Sequence, residues 1–381
     1  ALQSERRPGL WAPSTDLPAL KRLLLGSVLN VLLVCAPLGV YAGHAGWSAS
    51  AVFWLNFVAL LPLALLLGEV TEDLAVRFGD VVGGLLNATL GNVVELILSI
   101  AALSKGLYTV VATSLVGSIL SNLLLVLGMC FFCGGLRYRE QRFSQMANKV
   151  GSSLLFLAAI GIIVPSTAKA IYGPAVVTDD TLLALSRAIA ALLAGVYLCY
   201  LLFQLKTHAE CFVSEQENAQ PALSGAGAAA VLAGCTVVIA LCSENLTGAI
   251  EEVARSTGLN QAFLGLIVLP IAGNACEHIT AVFVAMKNKM DLAIAVALGS
   301  STQIALFVVP VTVLAGWAMG QPFTLEFDLF AVIMLTVSVV LAYFVSSDGQ
   351  SNWLLGLQLV CTYLLIAIVF LLEHEAPEPK P

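Results

Sequence analysis

Gly91-Asn92-Val93-Val94-Glu95-Leu96-Ile97 recurs 182 positions later as Gly273-Asn274-Ala275-Cys276-Glu277-His278-Ile279. At the same offset Gly83 pairs with Gly265, Lys105 with Lys287, Gly117 with Gly299 and Ser118 with Ser300. Each copy puts one glutamate in the middle of a strongly apolar run. An ionisable side chain at that depth in lipid is costly and marks a functional site by default. Two such glutamates in matching context read as a transporter.

The rest of the chain agrees with a bilayer setting. Of 381 residues, 59% are hydrophobic and only 11% charged, with a mean hydropathy of +0.94. A soluble domain carries roughly 25% charged residues, so this chain lacks the polar groups to cover a water-facing surface. Its net charge of -7 argues against nucleic acid, which needs a basic face. Nine cysteines lie mostly in apolar runs, where they act as small hydrophobes. The single C-x-x-C of Cys130 and Cys133 has no second pair or neighbouring histidine, so it reads as packing and not as a zinc site.

A span needs about 20 apolar residues. That ruler marks eleven, near 23–43, 50–72, 81–103, 108–134, 149–165, 182–205, 223–245, 262–286, 291–318, 325–345 and 353–372. The expected fold is therefore all-α and polytopic. It comprises a segment 1–22, a first helix and loop 23–49, a five-helix repeat 50–205, and a mildly acidic linker 206–222. A second five-helix repeat 223–372 and a disordered tail 373–381 complete it. Five is odd, so the second repeat enters from the opposite side. Such inverted repeats bind substrate at the midplane between their halves. Thr71-Glu72-Asp73-Leu74 also resembles Ser243-Glu244-Asn245-Leu246. Lys and Arg in short loops favour a cytosolic N-terminus and a non-cytosolic C-terminus.

Residues three apart share a helix face, so Asn92 lies beside Glu95 and Asn274 beside Glu277. Carboxylates and amides are the hard oxygen ligands that Ca²⁺ takes in sets of six to eight. Gly91 and Gly273 let a helix approach closely or bend to free a carbonyl. Ser118 and Ser300 each follow their glutamate by 23 residues, and with Ser121 and Gln303 they are candidates to line the pathway. No lysine or arginine accompanies either glutamate, so each needs a proton or a metal ion. A divalent ion would displace protons and protons would displace the ion, which is antiport. Two protons over about two pH units supply roughly 5.5 kcal/mol, enough for an ion gradient of about 10⁴. Glu72 and Glu244 are candidate entrance acids. His278 is either a proton relay or a hydrogen-bonded core residue, the second being favoured.

These stretches resemble the calcium/proton exchanger (CAX) family of the cation/calcium exchanger superfamily. The resemblance rests on Gly91–Ile97, Gly117–Asn122, Gly265–Ile279 and Lys287–Gln303, and extends over nearly all of 50–372. It implies eleven helices as one plus five plus five, and import of Ca²⁺ into an acidic compartment such as a vacuole. It implies a cation site of Glu95 and Glu277 with Asn92, Asn274, Ser118, Ser300 and Gln303, and Glu72 at an entrance. Val93-Val94 and Ala275-Cys276 replace the small residues usual after the asparagine, and the linker is less acidic than in many relatives.

A Na⁺/Ca²⁺ exchanger on the same scaffold is the alternative, although it would need oxygen ligands for several monovalent ions. Mn²⁺ also suits such ligands. A hydrolase would want His-Glu-x-x-His or Gly-x-Ser-x-Gly in a span, and neither occurs, so an enzyme is not expected. A channel usually builds its pore from repeated subunits. No cofactor is expected besides the transported Ca²⁺ and H⁺. The expected partners are those ions and lipid, and a homo-oligomer is compatible with the sequence.

Overall fold

In lipid every backbone polar group must be paired within the protein, and apolar segments meet this demand by forming helices. The computed structural model describes residues 13–78, 80–211 and 221–372, and nearly all of them are helical. Long helices run over Ala49–Phe78 (α3), Tyr108–Arg137 (α6), Gln145–Tyr172 (α7), Asp179–Thr207 (α8), Gly225–Thr257 (α9), Met290–Ala318 (α12), Leu329–Ser346 (α13) and Trp353–Leu372 (α14). Three further pairs are bent. They are Pro13–Leu25 (α1) with Val28–His44 (α2), Asp80–Leu90 (α4) with Val93–Ser104 (α5), and Gln261–Gly273 (α10) with Ala275–Ala285 (α11). The described residues thus hold eight helices long and apolar enough to cross a membrane, or eleven if each bent pair is one span. The protein is an all-α polytopic membrane protein.

Three of the expected spans are bent. The segment expected at 23–43 begins earlier, and α1 turns by 95° into α2. Gly26-Ser27 makes the corner, where the Ser27 hydroxyl accepts from the Leu29 amide at 3.3 Å. α1 is held by Asp16, whose carboxylate accepts from the Ser224 amide and hydroxyl, both at 2.6 Å. The spans expected at 81–103 and 262–286 bend by 40° and 60°. Both bends fall on Gly-Asn, where two poor helix formers meet. Much of the linker expected at 206–222, and the whole tail expected at 373–381, lie outside the described residues.

Burial ranks the helices. The apolar core of α6 is 83% buried and that of α12 is 67% buried, against 56% or less for the other long helices. The two innermost helices are thus the ones that carry Ser118 and Ser300. Each widens into a π-helical turn just after its serine, Ser121–Val126 in α6 and Ile304–Val308 in α12. Such turns cluster at functional sites because they shift the side chains of a helix out of register. Outside this centre α3 packs along α9, α7 against α13, and the second half of α6 against α14. A two-residue antiparallel ribbon, β1 (Gln141–Arg142) with β2 (Gln350–Ser351), ties two connections together.

Candidate functional site

Each glutamate sits in the first turn after a helix break. Asn92 ends the bend into α5 with φ -109° and ψ 24°, and Asn274 ends the bend into α11 with φ -90° and ψ 16°. Each asparagine caps the new helix, the Asn92 carbonyl accepting from the Leu96 amide at 3.2 Å and the Asn274 carbonyl from the His278 amide at 3.0 Å, so the face expected to join asparagine and glutamate begins at a corner. There the asparagine leaves regular helix and the glutamate is the third residue of the new one. A carboxylate in a first helical turn faces the positive end of the helix dipole. This partly offsets the cost of a buried negative charge.

The two motifs meet. A Cβ built on Gly273 would lie 2.9 Å from Glu95 Oε1, so the carboxylate packs on the backbone of the opposite break. The Glu95 charge is also close enough to act on Glu277. Around them the asparagines reach across reciprocally. Asn92 Nδ2 donates to Gln303 Oε1 at 2.7 Å, and Ser300 Oγ donates to Asn92 Oδ1 at 3.0 Å. Asn274 Nδ2 donates to the Ser118 carbonyl at 3.4 Å. Glu95, Glu277, Asn92, Asn274, Ser118, Ser300, Gln303 and Gly273 thus form one cluster. Gly91 shapes only its own break, its amide bonding to the Asn87 carbonyl at 2.9 Å.

The cluster is polar, buried and short of donors. Glu95 is 5% exposed and both its carboxylate oxygens are buried without a hydrogen bond to any described residue. The same holds for Glu277 Oε2 and Asn274 Oδ1. Among the described residues the ion pairs are those of Lys169 with Asp179 and Glu326, so neither glutamate has a cationic partner. Four unpaired buried oxygens on these three residues would be costly as a purely structural arrangement. They suit a small positive ion.

Glu277 is less buried than Glu95, which gives the site a sidedness. Cys276 packs against Gly68, and the carboxylates of Glu69 and Glu72 are close enough to act on its thiol. Exposed Glu72 thus lies near Cys276, the residue that precedes Glu277, on a helix of the other half. Glu244 is also exposed but lies at the α5–α6 turn, where Lys105 Nζ donates to its carbonyl at 2.5 Å. Burial there pulls the Lys105 pKa below its ordinary value, and the Glu244 carboxylate partly restores it. Lys287, the counterpart of Lys105, instead lies 4.3 Å over the Phe283 ring. The two candidate entrance acids lie in similar stretches of sequence and differ in surroundings.

His278 is held at both ring nitrogens, by the Asn274 carbonyl at 2.7 Å and the Ser121 hydroxyl at 3.0 Å. It braces the break and links α11 to the π-turn of α6. Asn122, at the end of the Gly117–Asn122 stretch, donates its Nδ2 to Ser300 Oγ at 2.9 Å. Thr71 and Ser243, not among the expected site residues, are fully buried hydroxyls without a described partner at matching places on α3 and α9. The Thr71–Leu74 and Ser243–Leu246 repeat was the available signal for those two.

Asn92 tests the bonds it makes to Gln303 and Ser300. Replacing it by alanine removes a donor to half-buried Gln303 and the acceptor of the Ser300 hydroxyl, which keeps only its bond from Asn122, at a cost of about 1–3 kcal/mol. N92A should lose at least about tenfold in substrate affinity, read as a shift in the concentration dependence of transport.

The sodium/calcium exchanger protein family matches residues 48–206 and 227–372. The Ca²⁺/H⁺ antiporter of Synechocystis sp. is 44% identical over 361 residues, covering 90% of this chain and 96% of that protein. The vacuolar calcium ion transporter of Schizosaccharomyces pombe is 40% identical, covering 92% of this chain and 86% of that one. A solved structure of the Ca²⁺/H⁺ antiporter protein YfkE is 35% identical, with a TM-score of 0.75 over 90% of this chain and 99% of that one. With its repeated Gly-Asn-x-x-Glu corners meeting at one buried centre, the chain belongs to the sodium/calcium exchanger protein family, in its calcium/proton exchanger branch.

Proposed function

We propose that the protein is a secondary active antiporter that exchanges Ca²⁺ for H⁺ by alternating access. The carrying observation is the pair of buried glutamates, each at a helix break, which share a centre with amide oxygens and have no cationic partner. Two carboxylates bring a charge of −2, which one divalent ion or two protons neutralises. Asn92, Asn274, Ser118, Ser300 and Gln303 supply or orient further oxygens, and carbonyls at the two breaks add to them. Ca²⁺ tolerates such an irregular set of oxygens, whereas Mg²⁺ demands near-ideal octahedral geometry.

In this reading the ion passes Glu72, meets the more accessible Glu277 and then Glu95, and displaces a proton from each. Closure on that side and opening at the Glu244 side releases it to a more acidic compartment, where protons reload both carboxylates. Exchange of two protons for one divalent ion is electroneutral, so membrane voltage would not oppose it. The first helix followed by two inverted five-helix repeats, 50–205 and 223–372, is the arrangement that makes the two openings alternatives. The matching positions of the two Gly-Asn breaks and the two π-turns support it. We place the N-terminus in the cytosol, the C-terminus in the lumen and the protein in the membrane of an acidic compartment. The names of the relatives, among them a vacuolar calcium ion transporter, support that reading.

The test is ⁴⁵Ca²⁺ uptake into vesicles of the purified protein. Uptake should follow an imposed pH gradient, acidic inside, and should not follow a Na⁺ gradient. Uptake driven by Na⁺ alone would replace this reading with Na⁺/Ca²⁺ exchange.

A further inference from the structure

A small cavity borders Glu95, and its lining sets one half of the molecule apart from the other. Glu95, Ser99, Ser114, Ser118, Pro270 and Gly273 are among the residues around it. It offers about 10 Å³ to the centre of a water molecule, about what one water requires, provided that two to four polar groups surround it. Those groups are present. Ser99 is 2% exposed and Ser118 is 3% exposed. Ser114 donates its proton to the Val111 carbonyl at 3.0 Å, which leaves its lone pairs as acceptors. Both Glu95 oxygens are buried without a described partner.

Helix geometry brings the serines together. Ser99 follows Glu95 by four residues on α5, and Ser114 precedes Ser118 by four on α6, so each lies one turn along the same face. α5 and α6 are joined by the short Lys105–Leu107 turn and run antiparallel. Both hydroxyls are therefore displaced from the centre toward the same end of the molecule. At the offset of 182 the second half has Ala281 and Val296 in these places, and neither can hold a water.

We infer that this cavity holds an ordered water, fixed by Ser99, Ser114 and Ser118, which supplies an oxygen ligand to the transported cation from the Glu95 side. The inference rests on the exchange reading above and deepens it. Ca²⁺ takes six to eight oxygens, and two carboxylates with two amides leave the shell short. One amide oxygen, that of Asn92, already accepts from Ser300. A water held on one side completes the shell and makes a pseudo-symmetric site chemically one-sided.

The double variant S99A/S114A removes the hydroxyls and leaves every carboxylate and amide in place. In pH-driven ⁴⁵Ca²⁺ uptake its KM should rise about tenfold, as for one lost oxygen contact, with a maximal rate within twofold of the parent protein. Equilibrium ⁴⁵Ca²⁺ binding to the detergent-purified protein at alkaline pH should weaken by the same factor. That binding measurement needs no driving gradient. A parent protein that fails to transport under a pH gradient would sink the exchange reading, while binding would still report on the serines. An unchanged KM and binding constant overturns the water site, and so does a parallel fall of maximal rate and thermal stability, which marks a packing role.

Discussion

Replacing either buried carboxylate by its amide, E95Q or E277Q, is expected to lower pH-driven Ca²⁺ uptake at least about 100-fold while the protein stays folded. Glutamine keeps the volume and one oxygen but cannot take the negative charge. The centre would then face a divalent ion with a charge of −1. Losing one member of a buried charge pair costs about 2–5 kcal/mol, and 100-fold corresponds to about 2.7 kcal/mol. The folded state should respond in the opposite direction. Both Glu95 oxygens and one of Glu277 lack a described partner, so neutral amides should leave the thermal midpoint unchanged or raise it. Uptake close to that of the parent in both variants would remove these residues from the transport site. A lowered midpoint would show that the carboxylates serve the fold.

The second large effect concerns Gly117, with Gly299 as its control. The two are equivalent in the repeat, yet a Cβ added at Gly117 would overlap the Leu266 carbonyl, whereas at Gly299 it would meet nothing within 4 Å. α6 therefore touches the α10 backbone at Gly117. Overpacking of this kind costs about 1–3 kcal/mol, and here it presses directly behind Ser118 and the broken helix that carries Asn274. G117A should lower the thermal midpoint by several degrees and abolish most transport, while G299A should change neither. Scanning calorimetry and vesicle uptake on the two variants decide it. Equal behaviour of the pair would mean that α6 and α10 are not in backbone contact.

Both predictions begin from residues visible in the repeat, and they differ in what the repeat could say. Two glutamates deep in apolar runs without a lysine or arginine nearby are legible from the chain alone. Lipid leaves a charge no solvent, so such residues must meet an ion or a proton wherever the helices finally lie. The helical class, the spans and the pairing of Gly-Asn-x-x-Glu segments follow from the same scarcity of polar groups, which makes each exception stand out. A window of apolar residues does not reveal that a span is bent, because the Gly-Asn corners are as compatible with length and hydropathy as a straight helix. At the bends of 40° and 60° the side chains of Asn92 and Asn274 reach into the opposite half, to Gln303 and Ser300 and to the Ser118 carbonyl.

The shared motif residues also concealed the asymmetry. Gly117 and Gly299, Lys105 and Lys287, and Glu72 and Glu244 are matched pairs whose members meet different neighbours. A conformation that leaves Glu277 more accessible than Glu95 must break the equivalence of the halves. The ion chemistry of this protein was thus written in residue type and spacing, since the cost of burying a charge depends on the medium more than on the neighbours. Which glutamate is shielded, which glycine is crowded and where a water fits were decided only by packing, since those depend on contacts between segments more than a hundred residues apart.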